Sequence, residues 1–326
     1  MISRRNVVLS AGISIFGMHG SAYAKDYPAK QPIKLVVGYP PGGPSDILAR
    51  IIADHLVREL GQAIVVDNRA GAGGMVGATN VAGQRADGYT LMFDTESISS
   101  RGAAIYKKLP YDPVKDFTRI DKLVRQRSAL VVHPSVPVSS VAELIQYAKG
   151  HPGKLNYGCA FGSSSHMGGA LFNHLNQVDI SAINYKGGSQ LVTDLMANIV
   201  QVGFYAESTV AQQVKAGSLR TLAVVANDKS VLFPELPTMK EAGAAPMDIS
   251  AWGGVIAPAG LPQPIVDRLH QAMQKIVADP NFASQLQPIG ASPILNSSPV
   301  KYTQDVSTEM NYWKKMVADA GIQQAE

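Results

Sequence analysis

Two short stretches carry residue types suited to holding an anion. The first is Tyr39-Pro40-Pro41-Gly42-Gly43-Pro44-Ser45-Asp46, and the second is Gly162-Ser163-Ser164-Ser165-His166. Each is rich in glycine or serine and stands directly before a pattern that reads as a helix. A helix start leaves backbone N–H groups without intrahelical partners and carries the positive end of the helix dipole. Phosphate or carboxylate binding is the chemistry such a loop performs. Ser45 can cap the first helix, with Asp46 where the dipole favours negative charge. In the second loop the hydroxyls and the His166 ring add further donors. A tight βα turn, and a capped helix with spare serines, explain the same residues on local grounds.

Covalent chemistry finds less support. There is no G-x-S-x-G elbow, because His166 follows the three serines. Adjacent Ser165 and His166 do not make a triad, which needs a base and an orienting acid converging in space. No H-E-x-x-H occurs, and His166 and His174 are too far apart to share an ion without other ligands. Lys186-Gly187-Gly188 has the P-loop order reversed. The run Ala70-Gly71-Ala72-Gly73-Gly74-Met75-Val76-Gly77 comes near a dinucleotide fingerprint. Gly71 and Gly73 fit, Val76 occupies the third position, and Asp94 ends the next strand at about the expected distance. A turn with close helix packing explains the run equally well. An exported enzyme using a nucleotide cofactor is therefore the alternative reading. No catalytic residue, metal ligand or cofactor is assigned.

The elements that must position the two loops follow from hydrophobic periodicity. Residues 33–37 form an apolar, β-branched run and read as a buried strand. Ile47, Leu48, Ile51, Ile52, Leu56 and Leu60 recur at helical spacing, and Gly61 supplies the stop. Strands are expected over 63–66, 89–93, 129–132, 155–158, 180–185, 200–205, 219–226 and 252–257, with none assigned over 118–128. Helices alternate with them, and Ser298-Pro299 opens a last long one. This rhythm predicts parallel, doubly wound α/β structure in two halves, each bearing one donor-rich loop.

Composition narrows the partners. Of 326 residues, 46% are hydrophobic and 17% charged, as in globular proteins with a sizeable core. The net charge of +4 is scattered, which excludes a basic nucleic-acid face. The N-terminal 1–24 has a basic Arg4-Arg5 region, a short apolar run and an Ala22-Tyr23-Ala24 cleavage signal. It reads as a signal peptide, with Ser3-Arg4-Arg5 resembling a twin-arginine motif. No later stretch is long and apolar enough to span a bilayer. The single Cys159 permits no intrachain disulfide and reads as a buried side chain.

With these residues in place, the chain resembles the Bug-type extracytoplasmic solute receptors, the substrate-binding components of tripartite tricarboxylate transporters. The matching segments include Pro32-Ile33-Lys34-Leu35-Val36-Val37, Pro40-Pro41-Gly42-Gly43-Pro44-Ser45-Asp46, Asp67-Asn68-Arg69 and Gly71-Ala72-Gly73-Gly74. Asp87-Gly88-Tyr89, Leu109-Pro110-Tyr111-Asp112, Tyr185-Lys186-Gly187-Gly188 and Leu236-Pro237-Thr238 continue the series. The resemblance implies a type II periplasmic-binding-protein fold, two doubly wound α/β domains joined by a hinge. Domain 1 would comprise 25–127 plus 250–326, and domain 2 would comprise 128–249. It implies a periplasmic, monomeric receptor that takes a small carboxylate to membrane transporter subunits. Pro41, Gly42, Gly43, Pro44 and Ser45 would hold one side of the carboxylate, and Gly162, Ser163, Ser164, Ser165 and His166 the other. Removing the hydroxyl of Ser164 or of Ser165 should weaken binding.

Departures from the family pattern bear on the ligand. Tyr205-Ala206 stands where many relatives have an acid suited to an amino group, which argues against an amino-acid ligand. The Tyr205 hydroxyl would bond a second carboxylate, or its ring would stack on an aromatic acid. Tyr39 adds a hydroxyl at the first loop, Ser97 lies nearby, and Arg101 would pair with a distal carboxylate unless it is a solvated surface charge. A dicarboxylate or an aromatic carboxylate is the expected ligand.

Overall fold

The computed structural model describes residues 27–185 and 188–325. The leader assigned to 1–24 and the pair Lys186-Gly187 lie outside the described residues. Two sheets build the molecule. The first holds β1 (Ile33–Val37), β2 (Ile64–Asn68), β3 (Thr90–Thr95), β4 (Phe117–Gln126), β10 (Ala251–Pro258) and β11 (Ala291–Pro293), in the order β11-β4-β10-β3-β1-β2. The second holds β5 (Ser128–Val132), β6 (Asn156–Cys159), β7 (Ser181–Asn184), β8 (Val202–Ala206) and β9 (Arg220–Val224), in the order β7-β6-β8-β5-β9.

The expected parallel winding holds for β2-β1-β3 and for β7-β6-β8. It fails where the chain passes between sheets. β10 runs antiparallel to β3 and β4, and β5 runs antiparallel to β8 and β9. β5 and β10 are the strands that enter their sheets from the other sheet, and each runs opposite to the strands on both of its sides.

Helices cover both sheets: α1 (Pro44–Leu60), α2 (Met75–Ala82), α3 (Glu96–Ser99), α4 (Gly102–Ile105), α5 (Val141–Gly150), α6 (Ser164–Asn176), α7 (Gly188–Met196), α8 (Glu207–Lys215), α9 (Gln263–Ala278), α10 (Pro280–Leu286) and α11 (Pro299–Asp319). Strand alternation divides the first core. Leu35 and Val37 face Leu48, Ile52 and Leu56 of α1 and Leu269 and Met273 of α9. Val36, on the opposite face, packs with Met92, Ile256, Tyr302 and Val306. The α1 stripe is as expected except at its start, where Ile47 is exposed.

In the second sheet Leu130 and Val132 share a core with Met167, Leu171 and Phe204, while Ala129 and Val131 pack with Leu191, Leu195 and Tyr205. Gly169 lets α6 lie directly on β6, since a Cβ there would fall 2.1 Å from the Tyr157 ring. Helix α11 serves both lobes. Tyr302 and Val306 belong to the first core, whereas Trp313 and Val317 pack with Ala104 and Ile105 of α4 among second-lobe residues. Among the described residues no helix is long and apolar enough to cross a membrane.

Candidate ligand-binding cleft

Both donor-rich loops open onto one cavity of about 200 Å³ between the lobes. From the first lobe it is lined by Tyr39 and Ser45 beside the start of α1, by Phe93 and Thr95 of β3, by Glu96, Ser97 and Arg101, and by Trp252 of β10. Ser163 and Ser164, at the start of α6, line it from the second.

The first loop is held in shape by Asp46. Its carboxylate accepts from Gly42 N (2.8 Å), Arg50 Nε (2.9 Å) and Asn68 Nδ2 (2.8 Å). The Arg50 hydrogen bond, ahead of those from Gly42 and Asn68, holds its pKa down to about 2. The Gly42 N–H is therefore engaged within the loop, and its φ of 77° is one that glycine adopts freely. Ser45 does not cap the helix. Gly43 is the N-cap and Pro44 opens the first turn, because its fixed φ and missing N–H suit that position. The N–H groups of Ser45 and Asp46 in this turn are left without intrahelical acceptors.

The second loop divides its serines. Ser163 Oγ donates to Ala160 O (2.7 Å) and lies 2.7 Å from Ser165 Oγ, which accepts from Ala160 N (3.2 Å). Ser165 is buried and its hydroxyl closes the loop on itself. Ser164 lines the cavity, where its Oγ accepts from Arg101 Nη1 across the cleft at 3.4 Å. His166 Nδ1 accepts from Gly162 N at 3.3 Å. Burial, and then the nearby Arg101 charge, lower the His166 pKa, so the ring is neutral with its proton on Nε2.

Arg101 is no surface charge. It is 1% exposed, bonded through Nη2 to Glu96 Oε1 at 2.5 Å, and lies 5.6 Å from the Trp313 ring centroid. Its Nε is buried without a hydrogen-bond partner. Tyr39 Oη sits 3.1 Å from Gly73 O and 2.9 Å from Thr95 Oγ1. Burial, followed by the Glu96 charge, pushes its pKa up to about 12, so it is a neutral hydroxyl.

Tyr205 points elsewhere. Its hydroxyl donates to Gly158 O (3.3 Å) and Leu191 O (3.5 Å), inside the second lobe on the α7 side. The reason is strand alternation: Phe204 faces α6, so its neighbour must face the opposite helix layer. Neither Tyr205 nor Ala206 lines the cavity, nor do Pro41, Gly42, Gly43, Pro44, Gly162, Ser165 and His166, which shape the loops. Sequence reasoning overlooked Glu96, Thr95, Gln126 and Trp252, all of which line the cavity. The signal for Glu96 was present, an acid five residues before Arg101 at the end of a strand.

A larger cavity of about 560 Å³ lies on the far side of Glu96 and Trp252. Its cations are already paired: Lys122 with Glu309 at 2.7 Å, Lys301 with Asp305 at 2.9 Å, and Arg125 with Asp248. The smaller cavity is the better anion site, because its helix-start donors have no such partners. The Gly71–Gly77 run has a packing role. A Cβ on Gly38 would fall 2.7 Å from Gly74 Cα, and one on Gly74 would fall 2.9 Å from Ile98. Among the described residues no group of three or more His, Cys, Asp or Glu side chains could hold a metal ion.

The chain matches the family model "Tripartite tricarboxylate transporter family receptor" over residues 48–322. It is 32% identical to Protein BugT of Bordetella pertussis over 98% of both chains. It resembles the solved structure of R. palustris Rpa4515 with adipate at 35% identity and a TM-score of 0.81, covering 92% of this chain and 100% of that one. Similarity extends to MatC from Rhodopseudomonas palustris with bound malate, at 29% identity and a TM-score of 0.75, over 89% and 99% of the two chains. The periplasmic binding protein BugD gives 30% identity and a TM-score of 0.76, over 91% and 99%. The chain belongs to the tripartite tricarboxylate transporter receptor family, whose members are solute-binding receptors and not enzymes.

Proposed function

We propose that the protein captures a small organic carboxylate, either a dicarboxylate or an aromatic carboxylate, in the cleft between its lobes. It then presents the acid to membrane subunits of a tripartite tricarboxylate-type transporter. One observation carries this reading: the starts of α1 and α6, which belong to different sheets, contribute Ser45 and Ser163–Ser164 to the same cavity. Two uncommitted helix starts facing one space suit an anion. The cavity of about 200 Å³ is smaller than the roughly 300–1,000 Å³ of sites for drug-sized ligands, which favours a small acid. The adipate and malate held by two similar proteins favour the same class. The 1–24 leader supports export to the periplasm, where the receptor works as a monomer.

Titration calorimetry against monocarboxylates, diacids, aromatic acids and amino acids tests the reading. Saturable binding of a diacid or aromatic acid is expected. Tight binding of amino acids, with none of plain diacids or aromatic acids, would overturn it.

A further inference from the structure

The cavity contains two formally charged side chains, Glu96 and Arg101, and they neutralise one another through the 2.5 Å contact. Both are nearly excluded from water, with side chains 9% and 2% exposed. On the far side of Glu96, Lys122 is already matched by Glu309 at 2.7 Å. The neighbouring groups Tyr39 and His166 are neutral, for the reasons given above. Asp46, beside the first helix start, is balanced by Arg50 at 2.9 Å. The site's own charge is therefore near zero before any ligand enters.

Two helix starts then face the space, each equivalent to roughly half a positive charge. Together they offset about one carboxylate. A second carboxylate would have to draw on Arg101, whose Nε has no partner and whose Nη1 makes only the 3.4 Å bond to Ser164. Glu96 stands in the way, because it already claims the guanidinium charge in a place where water cannot screen a like charge. Of the remaining wall, Leu48, Phe93, Val124 and Trp252 are apolar, and Thr95, Ser97 and Gln126 are polar but uncharged.

We propose that Glu96 is the specificity-determining residue of the cleft: by neutralising Arg101 it restricts the site to acids carrying one negative charge, and selects an aromatic or other apolar-bodied monocarboxylate over a dicarboxylate. This inference rests on the carboxylate-receptor reading and decides between its two ligand classes. Arg101 keeps a role as a neutralised hydrogen-bond donor, suited to a hydroxyl or carbonyl on the ligand body.

The test is titration calorimetry at fixed pH and ionic strength with matched acids, benzoate against terephthalate and hexanoate against adipate. Whichever acid of the wider panel binds best is also compared with its analogue bearing one carboxylate more or fewer. The wild-type protein is expected to bind the monoacid of each pair at least about tenfold more tightly. In Glu96→Gln the ratio shifts towards the diacid by at least about tenfold, since Arg101 becomes free to take a second carboxylate. Equal or tighter binding of the diacid by the wild type overturns the inference, as does an unchanged ratio in a folded Glu96→Gln protein. If that variant does not fold, the wild-type ratios decide alone. Failure to bind any carboxylate would instead sink the receptor reading of the preceding section.

Discussion

Ser164 and Ser165 are neighbours in the chain with different tasks. Ser164 lines the cavity, while Ser165 is buried and accepts from Ala160 N at 3.2 Å. Sequence alone treats their hydroxyls as equivalent, because both open the same helix. The structure predicts that Ser164→Ala loses carboxylate affinity with little change in melting temperature. One hydrogen bond to a charged group is worth roughly 1.5–3 kcal/mol, or about tenfold or more in Kd. Ser165→Ala is expected to melt earlier, as the buried Ala160 N–H loses its acceptor at a cost of about 1–3 kcal/mol. Paired melts and titrations check both, and the reverse pattern would reassign the two side chains. Arg101 and Tyr205 carry the same lesson. Burial beside Glu96 and strand alternation, not residue type, decided where each points.

Among the elements, β4 was illegible. Its sequence, FTRIDKLVRQ, sets Arg119, Asp121 and Lys122 where a buried strand should be apolar, yet all three are buried. They are tolerated because each has a partner: Arg119 donates to Pro113 O at 2.6 Å, Asp121 meets His270 at 2.8 Å, and Lys122 meets Glu309 at 2.7 Å. Asp94, at the end of β3, ties that strand to α11 by accepting from Tyr302 Oη at 2.6 Å and to α3 by accepting from Ser99 Oγ at 2.6 Å. Burial outweighs these bonds and raises its pKa to about 6. The folded pKa lies above the unfolded value of about 3.9, so the folded state binds this proton more tightly. Asp94 thus adds stability as pH falls from about 6 towards 4, and withdraws it above 6. Thermal melts at pH 5 and pH 7.5 should show this as a gain at the lower pH that shrinks in Asp94→Asn. An identical difference in both proteins would remove Asp94 from the account.

Across the whole molecule, α11 and the β4–β5 and β9–β10 passages join the lobes, and both tryptophans lie at that junction. Trp252 lines the cleft, and Trp313 packs beside Arg101. With two tryptophans in the chain, ligand binding should change intrinsic fluorescence, and Trp252→Phe should remove most of the change. A full-sized change in that variant would place the signal at Trp313. By itself the sequence determined the α/β alternation, the two donor loops and the helices they open, because hydrophobic period and Gly, Pro and Ser placement act over neighbouring residues. Only the tertiary structure decided that both helix starts share one cavity, that Glu96 holds Arg101, and that Tyr205 turns away. These depend on which faces meet across two sheets and on what burial does to a charge, and neither is written in local spacing.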